Sequence, residues 1–225
     1  MSREIVNIAQ YIDNTLLKPT ATLDDLTSFC KASLEFDFAS VCIPPFFVSQ
    51  ATELLMESSI DVCTVIGFPL GYNPKEIKRK EIEIAMKDGA EELDIVLNQS
   101  LLQSGSYKEL LEEMRCLNDI IHSKYGIVKY IVETSYLDKS QTDKVLDLCL
   151  DSKADFIKTS TGFAPKGAEL STVKKWKKHI GKENLKIKAS GGIKNSKEAV
   201  SFITSGADRI GCSSGISIVN EYENI

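Results

Sequence analysis

Two lysines fall in separate β-rich runs, Lys158 in ADFIKTSTGF and Lys188 in NLKIKASGGI. Side chains alternate across a strand, so Phe156, Lys158 and Ser160 share one face while Asp155 and Ile157 take the other. In the next run Lys186, Lys188 and Ser190 face one way and Leu185 and Ile187 the other. A lone mid-strand lysine is costly to bury charged, and by itself Lys158 reads first as a salt-bridged core residue. The pair is more informative. Two ammonium groups side by side disfavour double protonation, so one amine is expected to titrate low. A lysine depressed in this way beside a second cation is an activated nucleophile toward carbonyls.

Carboxylates fall at matching positions. In EELDIVLN, Glu92, Asp94, Val96 and Asn98 share a face, which makes Asp94 either a counter-ion for the lysines or a proton-transfer group. Lys129 and Glu133, on one face of VKYIVET, are further members expected in the charge network. The first run adds Asp13 and Thr15, the second Cys42. Only two histidines are present, His122 and His179, each beside lysine in a polar helical segment. Clustered imidazoles of a zinc site are therefore not on offer, and no metal is expected.

The elements that must position these groups are legible as alternation. Strand-like runs cover Tyr11–Leu17, Phe38–Ile43, Asp61–Gly67, Glu91–Asn98, Ile127–Thr134, Ala154–Thr161, Leu185–Ser190 and Asp208–Ser213. They recur roughly every thirty residues, the size of one β-α unit. Amphipathic helices lie between them. One starts near Thr22 with Asp25 as its capping-box partner. Another runs from about Pro74 to Asp88, ended by Gly89 in the left-handed conformation. A third spans Ser106 to Lys124, and later ones begin near Asp138, Ser171 and Ser196. No linker divides the chain, so residues 1–225 are expected to form a single α/β domain, a (β/α)8 TIM barrel. An open doubly wound sheet is the rival. In a barrel the working residues sit at the C-terminal strand ends, and the loops after strands 7 and 8 bind phosphate. Here those loops carry Gly191-Gly192 and Gly211-Cys212-Ser213-Ser214-Gly215, with Gly162 following Lys158. Glycines admit a close backbone approach, and a helix N-terminus supplies oriented N–H groups.

Bulk properties narrow the function classes. A formal charge of −5 argues against general nucleic-acid binding. The cluster Lys174-Lys175-Trp176-Lys177-Lys178 reads as a solvated helix face. No export signal or membrane-length apolar run is visible, and six scattered cysteines without a C-x-x-C pair read as reduced thiols of a cytoplasmic protein. Association into a homo-oligomer is left open, since no apolar patch can be assigned.

The segments FIKTSTGF, KASGGI, ELDIVLN, TVIGFPLG, IDNTLLKP and RIGCSSG together resemble the deoxyribose-phosphate aldolase family, from about Tyr11 to Gly215. The resemblance implies reversible cleavage of 2-deoxy-D-ribose 5-phosphate to acetaldehyde and D-glyceraldehyde 3-phosphate, with phosphorylated sugar and aldehydes as the only partners and no cofactor. It implies Lys158 as the Schiff-base lysine, Lys188 as its perturbing neighbour, and Asp94 in the proton relay. Gly191, Gly192, Ser213 and Ser214 would hold the phosphate. Two departures stand out. Asn14 replaces a histidine found in many members, and Tyr222 lies near the end of NEYENI, where members often carry a tail tyrosine that assists proton transfer. Other readings are a phosphate-binding barrel with isomerase or other Schiff-base lyase chemistry, and a non-catalytic barrel.

Overall fold

Each apolar run supplies one strand. The computed structural model describes residues 5–224. Its strands are β1 (Ile12–Thr15), β2 (Ser40–Ile43), β3 (Asp61–Ile66), β4 (Glu92–Val96), β5 (Ile127–Ile131), β6 (Phe156–Lys158), β7 (Lys186–Ser190) and β8 (Arg209–Cys212). Each pairs in parallel with the next, and β8 returns to β1 with Gly211 opposite Asp13. The sheet is therefore a closed eight-stranded barrel, the (β/α)8 fold. An open doubly wound sheet would leave two edge strands, and here every strand is paired on both sides.

The helices read from the sequence are α1 (Leu23–Ser33), α3 (Lys75–Lys87), α5 (Tyr107–His122), α6 (Lys139–Ser152), α7 (Leu170–Ile180) and α8 (Ser196–Thr204). Thr22 and Asp25 close the expected capping box on α1, and Asp138 with Gln141 closes a second on α6. Gly89 has the expected positive φ, 108°, and a Cβ there would lie 2.4 Å from Thr52 Oγ1. Three helices lie in stretches where none was expected: α2 (Val48–Leu55), α4 (Gln99–Gln103) and α9 (Gly215–Glu223). All are short. The first follows Pro44-Pro45 and the last starts on a glycine, so local propensity gave little signal for either.

Outward strand residues such as Val41, Ile95, Val128, Tyr130, Ile187 and Ile210 are buried against the helices in one continuous apolar layer. Each such side chain contributes about 1.5–3 kcal/mol of burial. Trp176 of α7 is fully buried in that layer, while its lysine and histidine neighbours point outward. There Lys175 pairs with Asp143 and His179 lies 3.1 Å from Asp147, so the basic cluster is a solvated, ion-paired face. Among the described residues no helix is long and apolar enough to cross a membrane.

The barrel interior is different. Branched apolar residues usually fill it, yet here Asp13, Glu92, Asp94, Lys129 and Lys188 are completely buried inside. Phe156 sits low in the barrel, its ring 5.9 Å from Lys129 Nζ, 5.3 Å from Lys186 Nζ and 5.5 Å from the Arg209 guanidinium. The aromatic face offsets part of the charge above it.

Candidate active site

Strand register gathers the charged residues inside the barrel. Asp94 pairs with Lys129 across β4 and β5, and Lys158 with Lys188 across β6 and β7. Asp94 is the hub. Its Oδ2 accepts from Lys158 Nζ at 2.7 Å and Lys188 Nζ at 2.6 Å, and its Oδ1 accepts from Lys129 Nζ at 2.8 Å. Lys129 also lies 2.6 Å from Glu92 Oε2. Lys188 and Arg209 both pair with Asp13, and Arg209 reaches Glu92 at 3.2 Å. Four cations thus share three carboxylates in a water-poor interior, where an unpaired charge would be very costly.

The network sets the protonation states. Burial alone would raise Asp94, but the ammoniums of Lys129, Lys158 and Lys188 reverse this and hold it well below the carboxylate range. Asp13 behaves in the same way, with Lys188, Arg209 and Lys129 outweighing burial. Burial would depress Lys188, yet Asp13 and Asp94 carry it above the ordinary lysine range. The depressed amine expected from two adjacent lysines is therefore not Lys188. The sequence pattern revealed the two cations and offered Asp94 as a counter-ion, but not that Asp13 and Asp94 both pair with Lys188.

Above the cluster opens a cleft of about 400 Å³. Thr15, Lys158, Gly162, Gly191, Gly192, Ser213 and Ser214 all line it. Lys158 is 3 % exposed, whereas Lys129 and Lys188 are fully buried, so Lys158 alone of the three lysines reaches the cleft floor. Gly162, Gly191 and Gly192 all have positive φ. Gly191 is also a contact point: a Cβ on Gly167 would fall 2.0 Å from the Gly191 carbonyl oxygen, so the loop after β6 lies directly on the loop after β7. Among the described residues, the amides of Gly191 and Gly192 have no protein acceptor. With α8 and α9 starting beside the cleft, these N–H groups make a concavity suited to a phosphate. Lys18 and Lys194 line the same cleft and add positive charge. Both were passed over in the sequence, although Lys18 lies inside IDNTLLKP and Lys194 directly follows KASGGI.

One expectation changes. Glu133 is not in the lysine network. It has φ 54°, and its Oε2 accepts from the Thr161 amide at 3.0 Å and hydroxyl at 2.5 Å, bracing the loop after β6. That left-handed turn ends the strand alternation on which its placement rested. Tyr222 donates to the Ile5 carbonyl at 2.9 Å beside the start of β1, at the barrel end opposite the cleft. Asn14 points outward, as its strand position requires, and donates to Ser33 Oγ of α1 at 3.0 Å. Cys42 and Cys63 lie buried beside the cluster, and the oxygens of Asp94, Glu92 and Asp13 approach these sulfurs closely enough to outline cation sites. Those oxygens already face Lys129, Lys158, Lys188 or Arg209, so an added cation would meet fixed positive charge; the donor set does not fit a metal.

A closed (β/α)8 barrel with a lysine at the floor of an anion-suited cleft defines the class to which the comparisons also lead. Residues 7–220 match the model of the DeoC/LacD family aldolases. A deoxyribose-phosphate aldolase from Caldanaerobacter subterraneus subsp. tengcongensis is 46% identical over 97% of this chain and 95% of its own. The solved structure of QR15, an aldolase, superposes with a TM-score of 0.92 at 42% identity, covering 97% of both chains. The tetrameric deoxyribose phosphate aldolase from Aeropyrum pernix superposes at 0.89 and 31% identity, covering 96% of this chain and 91% of that one. The chain belongs to the DeoC/LacD aldolase family and is a carbon–carbon lyase.

Proposed function

We propose that the chain is a class I aldolase that reversibly cleaves 2-deoxy-D-ribose 5-phosphate to acetaldehyde and D-glyceraldehyde 3-phosphate through an imine on Lys158. The observation that carries this reading is the position of Lys158, the one lysine of the buried cluster that reaches the cleft. Its relatives' names supply the substrate.

The neutral amine of Lys158 adds to the aldehyde carbon of the open-chain sugar. Lys188, 2.6 Å from the shared Asp94 oxygen, is a protonated donor for the departing carbinolamine hydroxyl, which leaves as water. The resulting iminium is an electron sink, so no metal is needed to stabilise the developing carbanion. A water at the cleft, oriented by Asp94, takes the proton of the 3-hydroxyl. The C2–C3 bond then breaks, its electrons forming the enamine, and glyceraldehyde 3-phosphate departs. Protonation at C2 and hydrolysis return acetaldehyde and the free amine. Asp94 stays ionised throughout, pairing with the iminium as it pairs with the ammonium. Gly191, Gly192, Ser213 and Ser214, with Lys18 and Lys194, anchor the phosphate and fix the reacting carbon over Lys158.

Steady-state cleavage by wild type and Lys158→Leu tests the reading. The variant should lose about a thousandfold or more in kcat, as when a nucleophile is removed, and keep the circular dichroism of the folded barrel. Near-normal cleavage by Lys158→Leu rules out the imine at this residue.

A further inference from the structure

Cys42 and Cys63 are register partners on β2 and β3, both side chains directed into the barrel and both fully buried. In-register neighbours on parallel strands sit about 4.8 Å apart, inside the roughly 4.4–6.8 Å range that disulfides span. Their sulfurs and the Asp94 carboxylate lie within 4.8 Å of one another. Cys63 Sγ is 3.3 Å from Asp94 Oδ1 and accepts from Lys129 Nζ at 3.3 Å. No step of the proposed aldol reaction uses either thiol.

From this geometry we propose that Cys42 and Cys63 are a redox-active pair, oxidised by a hydroperoxide to a disulfide that disables the Asp94 hub. The two thiols are differentiated for the task. A hydrogen bond from Cys63 holds Cys42 below the ordinary thiol range despite burial, with Lys188 and Lys158 also favouring the thiolate. Cys63 is pushed up, first by burial. By contrast Cys30 and Cys212 are each pushed up to about 11 by burial. Among the described residues, Leu17 and Phe68 are the partly buried hydrophobics packed against the cluster of Cys42, Cys63 and Val65, and both line a surface cleft. Hydrogen peroxide would enter beside them.

The chemistry balances. The Cys42 thiolate attacks one peroxide oxygen and the O–O bond breaks, giving the sulfenic acid and hydroxide, which takes up the proton Cys42 had shed. Cys63 then displaces the sulfenic hydroxyl, which leaves as water with the Cys63 proton. Both thiols are oxidised to one disulfide, and the peroxide is reduced to two waters. Bond formation draws Cys63 from Asp94 and Lys129, and the carboxylate that aligns Lys158 and Lys188 loses a neighbour.

The test uses the full chain, reduced and then exposed to a slight excess of hydrogen peroxide, with remaining thiols alkylated before digestion. A Cys42–Cys63 linked peptide pair is expected, together with a cleavage rate lowered about tenfold or more, because a positioned proton-transfer group contributes roughly 10²–10⁴-fold. Dithiothreitol should restore the rate. Cys63→Ala, measured against its own untreated rate, should form no link and should stop at a Cys42 sulfenic acid trapped by dimedone. Full alkylation of both thiols after peroxide, linkage of other cysteines instead, or a linked protein with unchanged rate would each overturn the proposal. The link is read without substrate, so it stays decisive even if deoxyribose phosphate proves not to be the substrate.

Discussion

Lys158 and Lys188 are neighbours across β6 and β7, yet their surroundings assign them different work. Lys158 opens to the cleft, while Lys188 is fully buried between Asp13 and Asp94 and stays charged. In the proposed reaction a charged Lys188 serves as the proton donor. Lys188→Leu is therefore expected to lower kcat about 10²–10⁴-fold in steady-state cleavage assays. Full activity in the variant would separate the two lysines functionally. Both residues were readable from strand alternation alone, because a lysine at an inward position between apolar neighbours is rare without a reason. Asp94 was readable as an inward partner for the lysines, and Asp13 and Glu92 as inward positions only. The hub role of Asp94 needed the register between distant strands, which local sequence does not contain.

The elements show where local reading works and where it fails. Capping residues announced α1, and glycine after α3 announced its end. Strand ends were less readable: VKYIVET alternates through Glu133, but the chain turns left-handed there and sends the carboxylate to Thr161. Nothing in the residue types distinguishes that turn from one more strand position. Gly167 was likewise invisible, since its contact with Gly191 joins two loops far apart in sequence. Glu133→Ala should leave the Thr161 amide buried without an acceptor and cost about 1–3 kcal/mol. Urea denaturation measures this, and a loss below about 0.5 kcal/mol, the scatter of ordinary surface changes, would show that the brace is unimportant.

At the scale of the whole molecule, the barrel closes around a core of ion pairs, and its pH response follows. Asp13 and Asp94 are depressed in the folded state, so their contribution is present above the unfolded carboxylate range and is lost only in strong acid. Asp61, at the foot of β3, has the opposite sign. Burial, then Glu92 and Glu91, push it up to about 6. The folded chain holds this proton between about pH 4 and 6 where the unfolded chain has released it, so stability falls as pH rises through that window. Asp61→Asn should raise the melting temperature at pH 8 and leave it unchanged near pH 4. The gain is about 1 kcal/mol, reduced from the full shift because the group is half solvated. An equal effect at both pH values would rule out titration as its cause. The eightfold alternation made the closed barrel legible from the sequence, since each β-α unit has the same size and hand. The cleft's shape was not, because it is made by loops meeting across the mouth. The most direct measurement is borohydride trapping with 2-deoxyribose 5-phosphate, followed by intact mass and peptide mapping. A two-carbon adduct on Lys158 alone is predicted, reporting both the imine and the bond cleavage. Absence of any lysine adduct while the phosphate ester still binds would contradict Schiff-base catalysis at this site.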